Sequence, residues 1–203
     1  MALPGVYTLK RLRPANISLP MKRFLIITGV LVLVLLGIFA YNRLYYTKSF
    51  SPEATVEYNK NGKELSVFYN RPYKKGREIF GGLVPYNTVW RTGANEATVF
   101  KTNTDLLVKG KVLKAGTYSL WTVPGEQTWK VIFNNESGQW GIDFNGEANR
   151  DPAKDVLAVE VPSLTHNKEF EQFTISIEQV GEDLELILLW DKTIVVVPIT
   201  FST

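Results

Sequence analysis

The chain has 203 residues, 45% hydrophobic and 21% charged, with one His and no Cys. The missing cysteine excludes disulfides, a thiol nucleophile, thiolate metal sites and a lipid-modified N-terminal Cys, and it is compatible with an oxidising periplasm. The formal charge of +3 is unevenly spread: residues 1 to 48 hold seven Lys or Arg and no acid, leaving sixteen basic and twenty acidic groups, a net of −4, in residues 49 to 203. That larger part lacks the basic surface that counterion release on nucleic acid requires, so no nucleic-acid partner is expected.

The first element in chain order is FLIITGVLVLVLLGIFAY, residues 24–41, in which no charged residue occurs. Its length suits a hydrocarbon core about 30 Å thick, so the stretch reads as a membrane-spanning helix or the core of an export signal. A cleaved signal carries small residues one and three places before the cut, and Ala40 has bulky Ile38 at the second of those places, which favours an uncleaved anchor. Lys10, Arg11, Arg13, Lys22 and Arg23 precede the span, and Arg43 and Lys48 follow it. The positive-inside bias then puts a tail, residues 1–23, in the cytoplasm and the rest beyond the inner membrane, in the periplasm. Met21, followed by Lys22 and Arg23, also reads as a start for such a signal.

Residues 42–53, NRLYYTKSFSPE, read as a short tether, and residues 54–203 have the length of one domain with one core. Period-two alternation with β-branched and aromatic enrichment predicts strands over 54–59, 64–70, 97–102, 106–110, 116–124, 128–134, 155–161, 170–180, 183–190 and 193–201. Asn61-Gly62 suits a tight hairpin turn, and Gly181-Glu182-Asp183 and Asp191-Lys192 supply the last two turns. Ten short strands without an amphipathic helix after the anchor predict an all-β, antiparallel β-sandwich or barrel-like domain. Parallel pairing is excluded, because the connections are too short for crossover helices.

One interval breaks the alternation. Residues 70–96, NRPYKKGREIFGGLVPYNTVWRTGANE, hold two prolines and four glycines without a clean period. An irregular connection of this length inside a small domain is either functional or disordered, and Tyr73, Phe80, Tyr86 and Trp90 argue for order. Residues 60–114 hold eleven basic and four acidic groups and residues 115–203 five and fourteen, so the loop lies in the electropositive part of the domain.

The stretches YNRPYKKGREIFGGLVPYNTVWRTGANEAT (69–98), GKVLKAGTYSLWTVPGEQTWKVIFN (110–134) and QWGIDFN (139–145) resemble the DUF2911 family, exported bacterial proteins of unknown function. The likeness covers nearly the whole chain after the tether. It carries over candidate residues, Arg71 to Thr98 within the first stretch and the Trp140-Gly141 pair, but no activity. It also leads one to expect a basic residue near Ala158, where this chain has a methyl group.

Two readings of the loop motif stand side by side. Arg71, Lys75, Arg77, Trp90, Arg91, Asn95 and Glu96 form the inventory of a site for a small polar or anionic envelope ligand: guanidinium for carboxylate or phosphate, indole for stacking, amide and carboxylate for hydroxyls. Equally, an Arg91–Glu96 ion pair would lock the loop onto the sheet, with Gly93 supplying a backbone conformation other residues avoid. Enzymatic chemistry has few candidates. His166 is a lone histidine in a polar turn, and no nucleophile elbow supports a serine triad. A carbohydrate-active hydrolase would have to pair Glu96 with Asp143, Asp151 or Asp155. NGEANRDPAKD (145–155) lacks calcium-loop spacing, so no metal or cofactor is expected. Trp121, Trp129, Trp140 and Trp190 read as core. A structural or assembly module docking a protein through a free sheet edge is the remaining alternative.

Overall fold

Asn61 and Gly62 both have positive φ, 54° and 73°, the pair of conformations a two-residue type I′ turn needs. They join β1 (Glu53–Lys60) to β2 (Lys63–Asn70) with Lys60 opposite Lys63. The structure, a computed structural model, describes residues 18–202. Seven further strands follow: β3 (Thr98–Thr102), β4 (Leu106–Val108), β5 (Lys111–Leu113), β6 (Gly116–Val123), β7 (Thr128–Asn134), β8 (Asp155–Val180) and β9 (Asp183–Phe201). They form one open sheet in the order β1-β2-β3-β6-β7-β8-β9-β4-β5, antiparallel throughout. The all-β antiparallel expectation holds.

The strand list changes in detail. Segments 155–161 and 170–180 are both parts of β8, 183–190 and 193–201 are both parts of β9, and β5 was not expected, so ten strands become nine. Asp191-Lys192 is not a reversal. Asp191 takes φ 53° and stays opposite Phe170, while Thr165 faces Thr193, so residues 166–169 of β8 face Lys192 alone. A bulge of this kind bends a strand without ending its pairing. His166 sits in that bulge, exposed, where its Nδ1 accepts from the Lys168 N–H at 2.9 Å.

The bent strands bring the apolar faces of the sheet together. Val67 and Tyr69 of β2 share one core with Phe173 and Ile175 of β8 and Leu186 and Leu188 of β9. The Tyr69 hydroxyl ties the two sides directly, donating to the Ile175 carbonyl at 3.2 Å and accepting from the Ile175 N–H at 2.9 Å.

The chain divides into two compact units, one ending at Arg43 and the other starting at Leu44. The described part of the first holds α1 (Leu19–Tyr41), with Pro20 in its opening turn and no buried side chain. Proline is tolerated there because the N–H it lacks would have no helical partner. The segment is long and apolar enough to cross a membrane and fits an anchor or a signal sequence. Residues 1–17, most of the expected cytoplasmic tail, lie outside the described residues. The stretch read as a tether contains a π-helical turn, Asn42–Tyr46, then α2 (Thr47–Phe50), and its last residue opens β1.

Residues 71–96 carry no strand, yet they are packed. Ile79, Phe80 and Val84 are buried, and Trp90 exchanges two main-chain hydrogen bonds with Thr122 of β6, at 2.7 and 3.0 Å. Inside, Phe80 and Trp90 join Trp129, Phe173 and Trp190 in a cluster of edge-on, tilted and stacked rings with centroids 4.8 to 6.2 Å apart. Aromatic burial on this scale holds the loop without a ladder of its own.

Candidate functional site

The packed loop leaves a cavity of about 820 Å³ beside its own aromatic cluster. Loop residues Val84, Pro85, Val89 and Trp90 form part of its wall, and Phe50, Ile142, Ala148 and Trp190 come from elsewhere in the domain. Its charged lining consists of Lys75, Arg77, Arg91 and Glu147. The volume is in the range of small-molecule sites, which are mainly apolar with a few polar groups.

Two glycines allow close approaches at this site, Gly141 to Arg91 and Gly93 to Asn70. Gly141 has φ 97°, and a Cβ built on it would lie 2.5 Å from Arg91 Cδ and 2.9 Å from Arg91 Cβ. At Gly93 a Cβ would come within 2.9 Å of the Asn70 carbonyl oxygen. Both positions therefore require a residue without a side chain.

Of the seven residues singled out from the sequence, Lys75, Arg77, Trp90 and Arg91 line this cavity and Arg71, Asn95 and Glu96 do not. Arg71 donates from Nε to the Phe173 carbonyl at 3.2 Å and from Nη2 to Thr174 Oγ1 at 2.8 Å, joining the loop to β8. Asn95 is buried and donates to Asn70 Oδ1 at 3.2 Å, and Asn70 donates to Glu96 Oε2 at 3.0 Å. Arg77 is folded back on its own turn, donating to the carbonyls of Lys74 and Tyr73. Lys75 is exposed, with its ammonium 4.9 Å from the centre of the Phe50 ring.

The expected Arg91–Glu96 ion pair does not form; Lys48 takes the place of Arg91. Lys48 Nζ donates to both Glu96 oxygens at 2.9 Å and also to Glu53. Burial opposes the charge on Glu96, but Lys48, its own backbone N–H and Asn70 outweigh that and hold the carboxyl below its ordinary range. Burial likewise opposes the charge on Lys48, and the two carboxylates outweigh it and raise the ammonium. Nothing in the sequence pointed to a residue so close to the apolar helix.

Arg91 is left with a different environment. Among the described residues its guanidinium makes no ion pair, and the one hydrogen bond of that side chain is a long one, from Nη1 to the Trp140 carbonyl at 3.5 Å. Burial pushes its guanidinium below the ordinary range, and the charge of Glu96 offsets only part of this. Trp190, also in the lining, is 1% exposed, and among the described residues its buried indole N–H has no acceptor. Trp90, by contrast, donates its indole N–H to the Gly93 carbonyl at 3.0 Å. Sequence reasoning assigned Trp190 to the core, where it is, but did not find the unpaired donor.

The carboxylates considered for hydrolysis are engaged separately. Asp143 Oδ1 accepts from the N–H groups of Asn145 and Glu147, Asp151 caps the turn Pro152–Lys154, and Asp155 pairs with Arg150. Among the described residues no group of three or more His, Cys, Asp or Glu side chains converges as a metal site. Ala158 is exposed, does not line the cavity, and accepts at its carbonyl from Lys111 Nζ at 3.2 Å.

An antiparallel all-β domain following an apolar N-terminal helix, with a cation-bearing cavity walled by an irregular loop, is the class these features define. The chain belongs to the DUF2911 family, described as proteins of unknown function, whose sequence profile matches residues 51–199. No curated protein and no solved structure matches it.

Proposed function

We propose that the domain binds a small ligand carrying an anionic group, without chemistry, in the cavity beside the loop. The observation that carries this reading is Arg91: a part-buried guanidinium in the cavity wall with no carboxylate partner among the described residues. A desolvated cation of this kind costs free energy until an anion reaches it, and guanidinium pairs with carboxylate or phosphate through two parallel hydrogen bonds. Lys75 and Arg77 add positive charge to the same lining, which speeds the approach of an anion. The N-terminal helix acts as a single-pass anchor in the inner membrane with the β domain in the periplasm. The excess of Lys and Arg before the span and the absence of cysteine support that placement.

The test is a thermal-shift screen of the full chain in detergent against short carboxylates, phosphorylated metabolites, sugars and peptidoglycan fragments, beside Arg91→Gln. A ligand specific for the native state raises its midpoint. The reading requires an anion that stabilises the wild type and leaves a folded Arg91→Gln unmoved. A screen in which only uncharged compounds act, or in which both proteins respond alike, removes it.

A further inference from the structure

We infer that the ligand is a single-chain amphiphile, with an acidic head on Arg91 and a hydrocarbon chain along Val84, Trp90, Ile142 and Trp190. This rests on the anion-binding reading of the same cavity and names the ligand class. The lining supplies the first argument. Apart from Lys75, Arg77, Arg91 and Glu147, the polar side-chain groups among its described residues are the hydroxyls of Ser51 and Thr88 and the indole N–H groups of Trp90 and Trp190, the first of these already bonded to the Gly93 carbonyl and the second buried. A sugar or other polyhydroxylated ligand would leave several of its own groups unpaired there, each costing about 1–3 kcal/mol. A hydrocarbon chain has no such groups and gains from every apolar wall it covers.

The donors supply the second argument. Arg91, held only by a long hydrogen bond to the Trp140 carbonyl at 3.5 Å, is a cavity donor with room for a better acceptor, and an ionised acid headgroup is an acceptor only. Glu147, the one acid in the lining, is exposed, so water screens its repulsion of such a head.

The rim is the third. Phe50 and Leu83 line the cavity while 47% and 46% exposed, and Phe144 is fully exposed on the loop that the Ile142–Ala148 bridge closes. That loop also contributes Gly146 and Glu147 to the lining. Exposed apolar residues around an opening mark a surface meant for apolar partners. Phe50 stands nine positions after Tyr41, the last residue of α1.

The experiment uses the full chain in nanodiscs of a zwitterionic phospholipid and a long-chain fatty acid bearing a diazirine midway along its chain. After irradiation the labelled peptides are mapped. Label is expected on 84–90 and 141–148, displaced by unlabelled fatty acid. It should fall about tenfold or more in Arg91→Gln, as expected from losing one charge-assisted hydrogen bond, and persist in Arg91→Lys. Ala148→Trp, which fills the cavity and keeps every charge, should abolish it, and this variant decides the matter if Arg91→Gln does not fold. Label confined to 19–41, or cavity label indifferent to both Arg91→Gln and Ala148→Trp, overturns the amphiphile. In a parallel arm, acetate and inorganic phosphate replace the fatty acid in thermal shift. An Arg91-dependent shift without cavity labelling leaves anion binding standing and removes the amphiphile, and neither signal removes both.

Discussion

Lys48 Nζ lies 2.9 Å from both carboxylate oxygens of Glu96, across forty-eight positions of sequence. Their side chains are 18% and 21% exposed, so water screens the pair only partly. Replacing Glu96 by Gln, or Lys48 by Met, should therefore lower the stability of the β domain by about 1–3 kcal/mol, short of the cost of breaking a fully buried pair. Chemical denaturation of the two single variants and the double variant measures it. A double variant no worse than either single one locates the loss in the pair.

The same pair sets a pH dependence. The folded pKa of Glu96 lies below the ordinary carboxylate value of 4.5. Its contribution is complete above that value and is lost as pH falls through the folded pKa. The folded pKa of Lys48 lies above 10.5, so its contribution is complete below that value and lost as pH rises through the folded pKa. A plot of unfolding midpoint against pH should be steeper below about pH 4.5 for the wild type than for Glu96→Gln. Parallel curves would show that Glu96 titrates alike in both states.

Arg91 should matter less to stability than Glu96. Its charge is part-buried without a carboxylate partner among the described residues, so Arg91→Met in the ligand-free protein should change stability by less than about 1 kcal/mol in either direction. Gly141→Ala should cost more, about 1–3 kcal/mol, because its methyl group would lie 2.5 Å from Arg91 Cδ at a backbone φ of 97°. Equilibrium unfolding of both variants checks the order, and an Arg91→Met protein that fails to fold would assign the guanidinium to the scaffold.

Two tryptophans that are alike in burial should differ on mutation. Trp121 is 0% exposed and donates to Ser119 Oγ at 2.7 Å, whereas Trp190, 1% exposed, has no acceptor among the described residues. Replacement by Phe removes similar volume at each. At Trp121 it also removes a hydrogen bond and at Trp190 an unsatisfied donor, so Trp121→Phe should be the worse by about 1–3 kcal/mol. Equal losses would mean that the Trp190 N–H has an acceptor in solution.

Tyr69→Phe removes one oxygen and strands two main-chain groups, since the hydroxyl serves both the N–H and the carbonyl of Ile175. With Tyr69 3% exposed, water cannot replace it cheaply, and a loss of about 2–4 kcal/mol is expected in urea titration. Amide exchange at Ile175 should accelerate in the same variant.

Local chemistry was legible in the sequence. Asn61-Gly62 announces its turn because few other residues accept two successive positive φ values, and β2 shows its buried face through period-two alternation. The apolar run 24–41 is recognisable for the same reason, since hydrocarbon tolerates no charge along its length. Residues 70–96 stand out because a stretch so rich in Gly, Pro and aromatics fits neither period. Pairings across long separations were not legible. Only the fold brings Lys48 to Glu96, leaves Arg91 without that carboxylate and sets Arg71 against β8. Asp191 reads as a turn residue in isolation, yet its positive φ is absorbed as a bend within β9. Turns, strand faces and apolar spans are set by steric and hydration preferences acting over a few residues. Which charge meets which carboxylate, and which indole N–H goes unpaired, is decided by how a bent sheet packs a long loop against its own aromatic core.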